Sequence, residues 1–234
     1  MRALCTCDCH KPGNMILHIM PCCDNGYIFE HSLNKTKTMK KIETLAEYQQ
    51  LASRTCPDLG SPEANMFHMN SGIVTEIGEA IDPIKKFIAY KKPIDTVNVG
   101  EEIADCCWYI ANKARIFLSQ EQKDSIWGKM DVFTVCMKDF ESQERLKISS
   151  IYDAANILFC ITPVGYLDNV KDLRSCVGVP DVVLLHKVAD YFGLDFWQLL
   201  TNNIAKLQVR YPEKFTEEAA LNRNLEAERK ELEK

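Results

Sequence analysis

The sequence predicts an all-α fold, an antiparallel helical bundle, on three observations. Apolar residues recur at helical spacing in one segment after another. Helix starts and stops punctuate those segments, as at Ser61-Pro62 and Gly193. Two acidic signatures, Glu76-Ile77-Gly78-Glu79 and Glu102-Ile103-Ala104-Asp105, each set two carboxylates three residues apart inside an apolar pattern. At about 3.6 residues per turn, both acids of each pair then point to one side of a helix.

Two such turns facing each other make a nest of four carboxylates. Like charges in a small volume raise one another's pKa and oppose folding unless a cation joins them. A hard divalent metal answers this best, Mg2+ with Mn2+ as a substitute, because oxygen ligands suit it and it keeps water positions open.

The 234 residues, 46% hydrophobic and 26% charged, have an ordinary globular composition, enough for one large domain or a domain with an insertion. A net charge of −5 argues against a nucleic-acid-binding surface. No run approaches the roughly 18–20 apolar residues of a membrane helix, and the N-terminus lacks a secretory apolar stretch. The expectation is a cytoplasmic protein. Eleven cysteines, an odd number scattered through helical segments and including Cys106-Cys107, read as reduced thiols in a core.

Residues 1–38 stand apart. Cys5, Cys7, Cys9, His10, Cys22 and Cys23 crowd a segment punctuated by Gly and Pro. One reading is a structural Zn2+ site. The spacing favours the other, a flexible extension, because it lacks the paired Cys-x-x-Cys units of common zinc sites. Met39, followed by Lys40-Lys41-Ile42, looks like the start of the folded domain, which then covers 39–234 with a helical insertion at about 118–180.

Within that domain, Leu45, Tyr48 and Leu51 mark a short opening helix over Thr44 to Arg54. Ser61-Pro62 restarts a helix with a hydroxyl cap and Pro in the first turn. Its expected buried face is Met66, Phe67, Met69, Ile73, Ile77 and Ile81, with Glu76 and Glu79 alongside. Pro83 removes the hydrogen bond to the Glu79 carbonyl, so either a kink or a new helical segment is expected there. A linker over Tyr90 to Val97 leads to Asn98, which with Glu101 reads as a capping box, leaving Glu102 and Asp105 facing inward.

Ser119 and Gln122 fit another cap, Trp127, Met130, Val132, Phe133 and Cys136 supply apolar faces, and Ser149 to Thr162 repeats the pattern. Asp153 and Asn156 read as a polar stripe, and Asp172 to Pro180 as a loop. A helix from Asp181 to Phe192 ends at Gly193. Asp195 and Gln198 cap the next, which runs to Tyr211-Pro212. The charged tail from Thr216 has few aliphatic residues, with Leu221 and Leu225 as its expected anchors, and lies across the surface or another subunit.

The pair Glu76-x-x-Glu79, twenty-two intervening residues, then Glu102-x-x-Asp105 resembles the signature of the MazG-like all-α nucleoside triphosphate pyrophosphohydrolases. The run Asn203-Ile204-Ala205-Lys206-Leu207-x-x-Arg210-Tyr211-Pro212-x-Lys214-Phe215 is similar to the closing segment of their phage and bacterial branch. The resemblance covers about residues 42–116 and 183–232. Two departures stand out: Thr75 occupies a position where the family often has a further acid, and 118–180 has no counterpart in compact members.

The resemblance implies Mg2+-dependent cleavage between the α and β phosphates, giving a nucleoside monophosphate and pyrophosphate. It further implies a homo-oligomer, dimer or tetramer, and leans toward a purine deoxynucleotide such as dGTP as substrate. Glu76, Glu79, Glu102 and Asp105 are the expected metal ligands, with Glu76 or Glu79 also acting as base through a water. Lys206 and Arg210, four apart on one helix, are the expected phosphate clamps, with Asn203 beside them. His68, eight residues before Glu76, is a core residue or a contact to base or sugar, and Lys85 and Lys86 are poorer phosphate candidates. The alternatives are a damaged-nucleotide or phosphoribosyl-ATP pyrophosphohydrolase, or a non-catalytic helical module that binds zinc or a partner.

Overall fold

The computed structural model describes residues 39–117, 138, 147–161 and 179–234. The chain divides into two compact units, Met1–Thr38 and Met39–Lys234, and every described residue belongs to the second. The expectations for 1–38, the zinc site included, and for Ser119 to Cys136 lie outside the described residues. Those residues form helices and no strand: α1 (Leu45–Ala52, followed by a 3-10 turn, Ser53–Thr55), α2 (Pro62–Tyr90), α3 (Thr96–Phe117), α4 (Ile151–Cys160), α5 (Val179–Tyr191), α6 (Phe196–Arg210), α7 (Glu217–Leu221) and α8 (Leu225–Leu232). The fold is all-α, as expected. No helix among the described residues is long and apolar enough to cross a membrane.

Local chemistry sets most of the helix starts. The Thr44 and Ser61 side chains accept the Glu47 and Ala64 N–H groups, each at 3.1 Å, and Pro62 opens α2 where its missing N–H costs nothing. Asp195 caps α6 by accepting from the Gln198 N–H at 3.0 Å. Pro83 lies inside α2, buried, and the helix continues to Tyr90, so no new segment starts there. The start of α3 corrects the expected capping box. Asp95 accepts the Asn98 N–H at 3.0 Å, the helix begins at Thr96, and Asn98 and Glu101 lie within it with other tasks.

α2 and α3 are the central pair, joined by residues 91–95 and packed along their length. α2 buries Met69, Ile73, Ile77, Ala80 and Ile84, and α3 buries Val99, Ile103, Cys106, Cys107, Ile110 and Ala111. Phe67, expected on the buried face, is 74% exposed, because it falls off the 69/73/77/80/84 stripe. Helices α1, α5 and α6 cover α3, and α4 packs on α2. The Cys106 and Cys107 thiols are free and buried, as the core-thiol reading requires.

Asp153 belongs to the cap of α4: its carboxylate accepts the Ser149 and Ser150 N–H groups, both at 2.9 Å, while Ser150 Oγ accepts the Asp153 N–H. α5 begins at Val179, so Pro180 sits in its first turn rather than in a loop. The tail is anchored differently from expectation. Leu221 and Leu225 are exposed, whereas Glu228 of α8 is buried against α6. There it accepts from Arg210 Nε at 3.0 Å and from Arg223 Nη2 at 2.8 Å. Burial alone would raise the Glu228 carboxyl, yet the two guanidinium groups hold it down to about 2.

Candidate metal centre

Glu76 from α2 and Glu102 and Asp105 from α3 come together so that one carboxylate oxygen of each lies within 4.8 Å of the others. Glu102 is buried and the other two are partly so. The approach of the helices depends on Gly72, one turn before Glu76. A β-carbon there would sit 2.2 Å from the ring of Tyr109, one turn beyond Asp105. Gly72→Ala is therefore expected to cost about 1–3 kcal/mol through forced movement of that ring. About 1 kcal/mol of this is offset by better helix propensity. A denaturant midpoint measures the net loss, and a midpoint at or above that of the parent chain would contradict it.

Glu76 is pushed up to about 7, first by burial and then by the Asp105 charge, with Glu79 adding to the effect. Glu102 is pushed up to about 9 by burial, by Asp105 and by Glu101. Burial and the surrounding carboxylates thus favour the protonated form at Glu102 more strongly than at Glu76. Asn98 Nδ2 donates to Glu102 Oε1 at 2.5 Å, which holds that carboxyl from its other side. The Thr75 hydroxyl lies 2.9 Å from the Gly72 carbonyl and 3.3 Å from Glu76 Oε1. An all-oxygen trio whose charges are only partly balanced suits a hard divalent ion, so the residues present fit Mg2+ or Mn2+.

Asp105 is held from α6. Asn203 Nδ2 donates to its Oδ1 and Lys206 Nζ to its Oδ2, both at 2.5 Å. Lys206 is 1% exposed and reaches Glu101 as well, at 3.2 Å. Burial would lower the Lys206 ammonium, but Asp105 and Glu101 outweigh it and hold its pKa above the ordinary value. Glu101, read from sequence as a cap, is thus an ion-pair partner. Arg210 faces Glu228 of α8, while its charge still reaches Asp105 and Tyr109.

Of the remaining sequence candidates, Glu79 is exposed, one turn from Glu76 and outside the trio. His68 is half-buried, its ring edge-on to Tyr109 with 5.5 Å between centroids, and burial holds its pKa below the ordinary value. Lys85 and Lys86 pair with Asp82 on their own helix, Lys85 at 2.6 Å. Tyr48 and Asn98 carry no site signal in the sequence, since a buried aromatic at helical spacing and a capping asparagine have simpler uses.

These shifts set the pH dependence of the metal-free protein. Glu76, Glu102 and Asp181, the last pushed up to about 6 by burial, have folded-state pKa values above their unfolded ones. Their contribution is complete below about pH 4 and is lost as pH rises through about 6, 7 and 9. Glu228 has the opposite sign, so its contribution is complete above about pH 4.5 and is lost as pH falls through about 2. Melting in a chelator is expected to be highest near pH 4–5 and to fall toward pH 9, and Mg2+ or Mn2+ is expected to raise it more at pH 8–9 than at pH 6. A metal-free melting point that rises steadily to pH 9 would contradict this assignment.

Comparison of the chain with protein-family models, with curated proteins and with solved structures gave no match.

Proposed function

We propose that the chain is a Mg2+-dependent hydrolase that cleaves a (deoxy)nucleoside triphosphate between the α and β phosphates, releasing a nucleoside monophosphate and pyrophosphate. The observation that carries this reading is the convergence of Glu76, Glu102 and Asp105, from two adjacent helices, to within 4.8 Å. The resemblance of Glu76-x-x-Glu79 and Glu102-x-x-Asp105 to the MazG-like signature supplies the reaction, and its phage-type branch favours a purine deoxynucleotide such as dGTP.

A bound divalent ion supplies neutralisation of the phosphates and a lowered pKa for the attacking water. The chain's own residues do the rest. Glu76, Glu102 and Asp105 hold the ion, and Glu79, exposed at the rim, is the fourth carboxylate and the better placed of the two α2 acids to accept a proton from water. Asn203 and Lys206 keep Asp105 in place rather than standing ready for phosphate. Arg210 reaches a phosphate by exchanging it for Glu228. His68 and Tyr109 offer aromatic surface beside the carboxylates. Phe67, Val74, Tyr152 and Phe159 are exposed apolar side chains that a homo-oligomer would bury.

The test is a panel of deoxynucleoside and nucleoside triphosphates, phosphoribosyl-ATP among them, incubated with the protein and Mg2+ and assayed for pyrophosphate. Release is expected from at least one purine deoxynucleotide. Absence of release from every triphosphate, with Mg2+ and with Mn2+, would sink the reading.

A further inference from the structure

Asp105 is the most constrained carboxylate of the centre, and the constraint extends one step beyond its neighbours. Asn203, 0% exposed, spends its amide N–H on Asp105 Oδ1, which leaves its own carbonyl oxygen facing the core. A buried amide can sit in two orientations half a turn apart, and its partners select one of them. In the wrong orientation the Asn203 oxygen would face the Asp105 carboxylate, acceptor against acceptor. On the far side, the selecting group is Tyr48 of α1, whose hydroxyl lies 2.9 Å from Asn203 Oδ1 and 3.0 Å from the Ala104 carbonyl.

We propose that Tyr48 is a positioning residue of the metal centre, its hydroxyl fixing the Asn203 amide so that the amide in turn fixes Asp105. This rests on the metal-centre reading above. The Tyr48 ring is wholly buried, and burial keeps the phenol protonated by raising it well above its ordinary value, so the hydroxyl is a permanent donor. With one proton and two acceptors, it ties the α3 backbone at Ala104 to α6 at Asn203, next to the very residue that both helices must place. Each Asp105 oxygen has two lone pairs; Asn203 takes one and Lys206 another, which leaves one on each oxygen for a cation. Among the described residues the Tyr48 hydroxyl is what holds the far end of the Asn203 amide, and the full burial of that amide leaves no room for solvent to substitute.

The experiment is Mn2+ titration calorimetry on the full chain, comparing the parent with Tyr48→Phe, Asn203→Ala, the double variant and Thr201→Val. Thr201 is the structural control, because its hydroxyl accepts the Ile42 N–H at 2.9 Å, a buried bond between the segment before α1 and α6. Tyr48→Phe is expected to weaken Mn2+ about 10-fold, as loss of an outer partner of a metal ligand typically does. In the Asn203→Ala background it is expected to weaken Mn2+ no further, and Thr201→Val is expected to stay within about twofold of the parent. Affinity of Tyr48→Phe within twofold of the parent overturns the proposal. So do additive losses in the double variant, an equal loss in Thr201→Val, or a Tyr48→Phe chain that fails to fold, since an orienting hydroxyl is not needed for the core. A parent chain that binds Mn2+ but releases no pyrophosphate refutes the hydrolase reading and leaves this comparison intact; a parent that binds no Mn2+ refutes both.

Discussion

Glu102→Gln is expected to make the metal-free protein more stable while removing the proposed pyrophosphohydrolase activity. Gln copies the protonated form of Glu102, the form that burial and the neighbouring Asp105 and Glu101 already favour. Its carbonyl oxygen still accepts from Asn98 Nδ2. At pH 8 in a chelator the gain is expected to be about 1 kcal/mol, which at this chain length is about 2–4 °C in Tm. Loss of an outer partner of a metal ligand already costs about 10–100-fold, so loss of Glu102 as a proposed ligand is expected to lower pyrophosphate release at least about 100-fold. Melting with and without Mg2+, beside the pyrophosphate assay, checks both halves. A variant that melts lower than the parent without metal, or that keeps its turnover, would refute the arrangement.

Lys206→Met is expected to have the largest effect on folding. The ammonium is 1% exposed and bonded to both Asp105 and Glu101, so its removal leaves a carboxylate in a buried site with its principal cation gone. Breaking a buried pair from one side costs about 3–5 kcal/mol. Set against the about 5–15 kcal/mol of a whole domain, that is a large share of the total. Adding Asp105→Asn removes the stranded charge, and the double variant is expected to recover part of the loss, while Glu101 turns its partly exposed carboxylate to water. Urea midpoints of the two single variants and the double variant measure the coupling. A Lys206→Met chain within about 1 kcal/mol of the parent would show that the ion pair is not the buried contact described.

Features that depend on a few consecutive residues were legible in the sequence. Thr44, Ser61-Pro62, Asp195 and Gly193 each act where local chemistry places them, and the acidic residues at 76, 102 and 105 converge as their spacing on two helices predicts. The reading failed where the deciding partner was distant or where two local solutions competed. Asn98 and Glu101 have capping-box spacing, but Asp95 offers a carboxylate three residues earlier and takes the position. Lys206 and Arg210 are correctly placed on one helix, yet nothing in their spacing tells that Glu101 and Asp105 wait for the first and Glu228 for the second. The leucines of the tail suggest an apolar anchor, while its attachment is ionic, through one glutamate shared by two arginines.

The prior engagement of those cations bears on how fast a substrate arrives. Beside the carboxylate trio, Lys206 and Arg210 are already neutralised by acids of the chain, whose net charge is −5, so these two cations do not draw in a polyanion from a distance. If the proposed triphosphate is the substrate, added salt is expected to speed the encounter rather than slow it, the reverse of an enzyme with an open basic cleft.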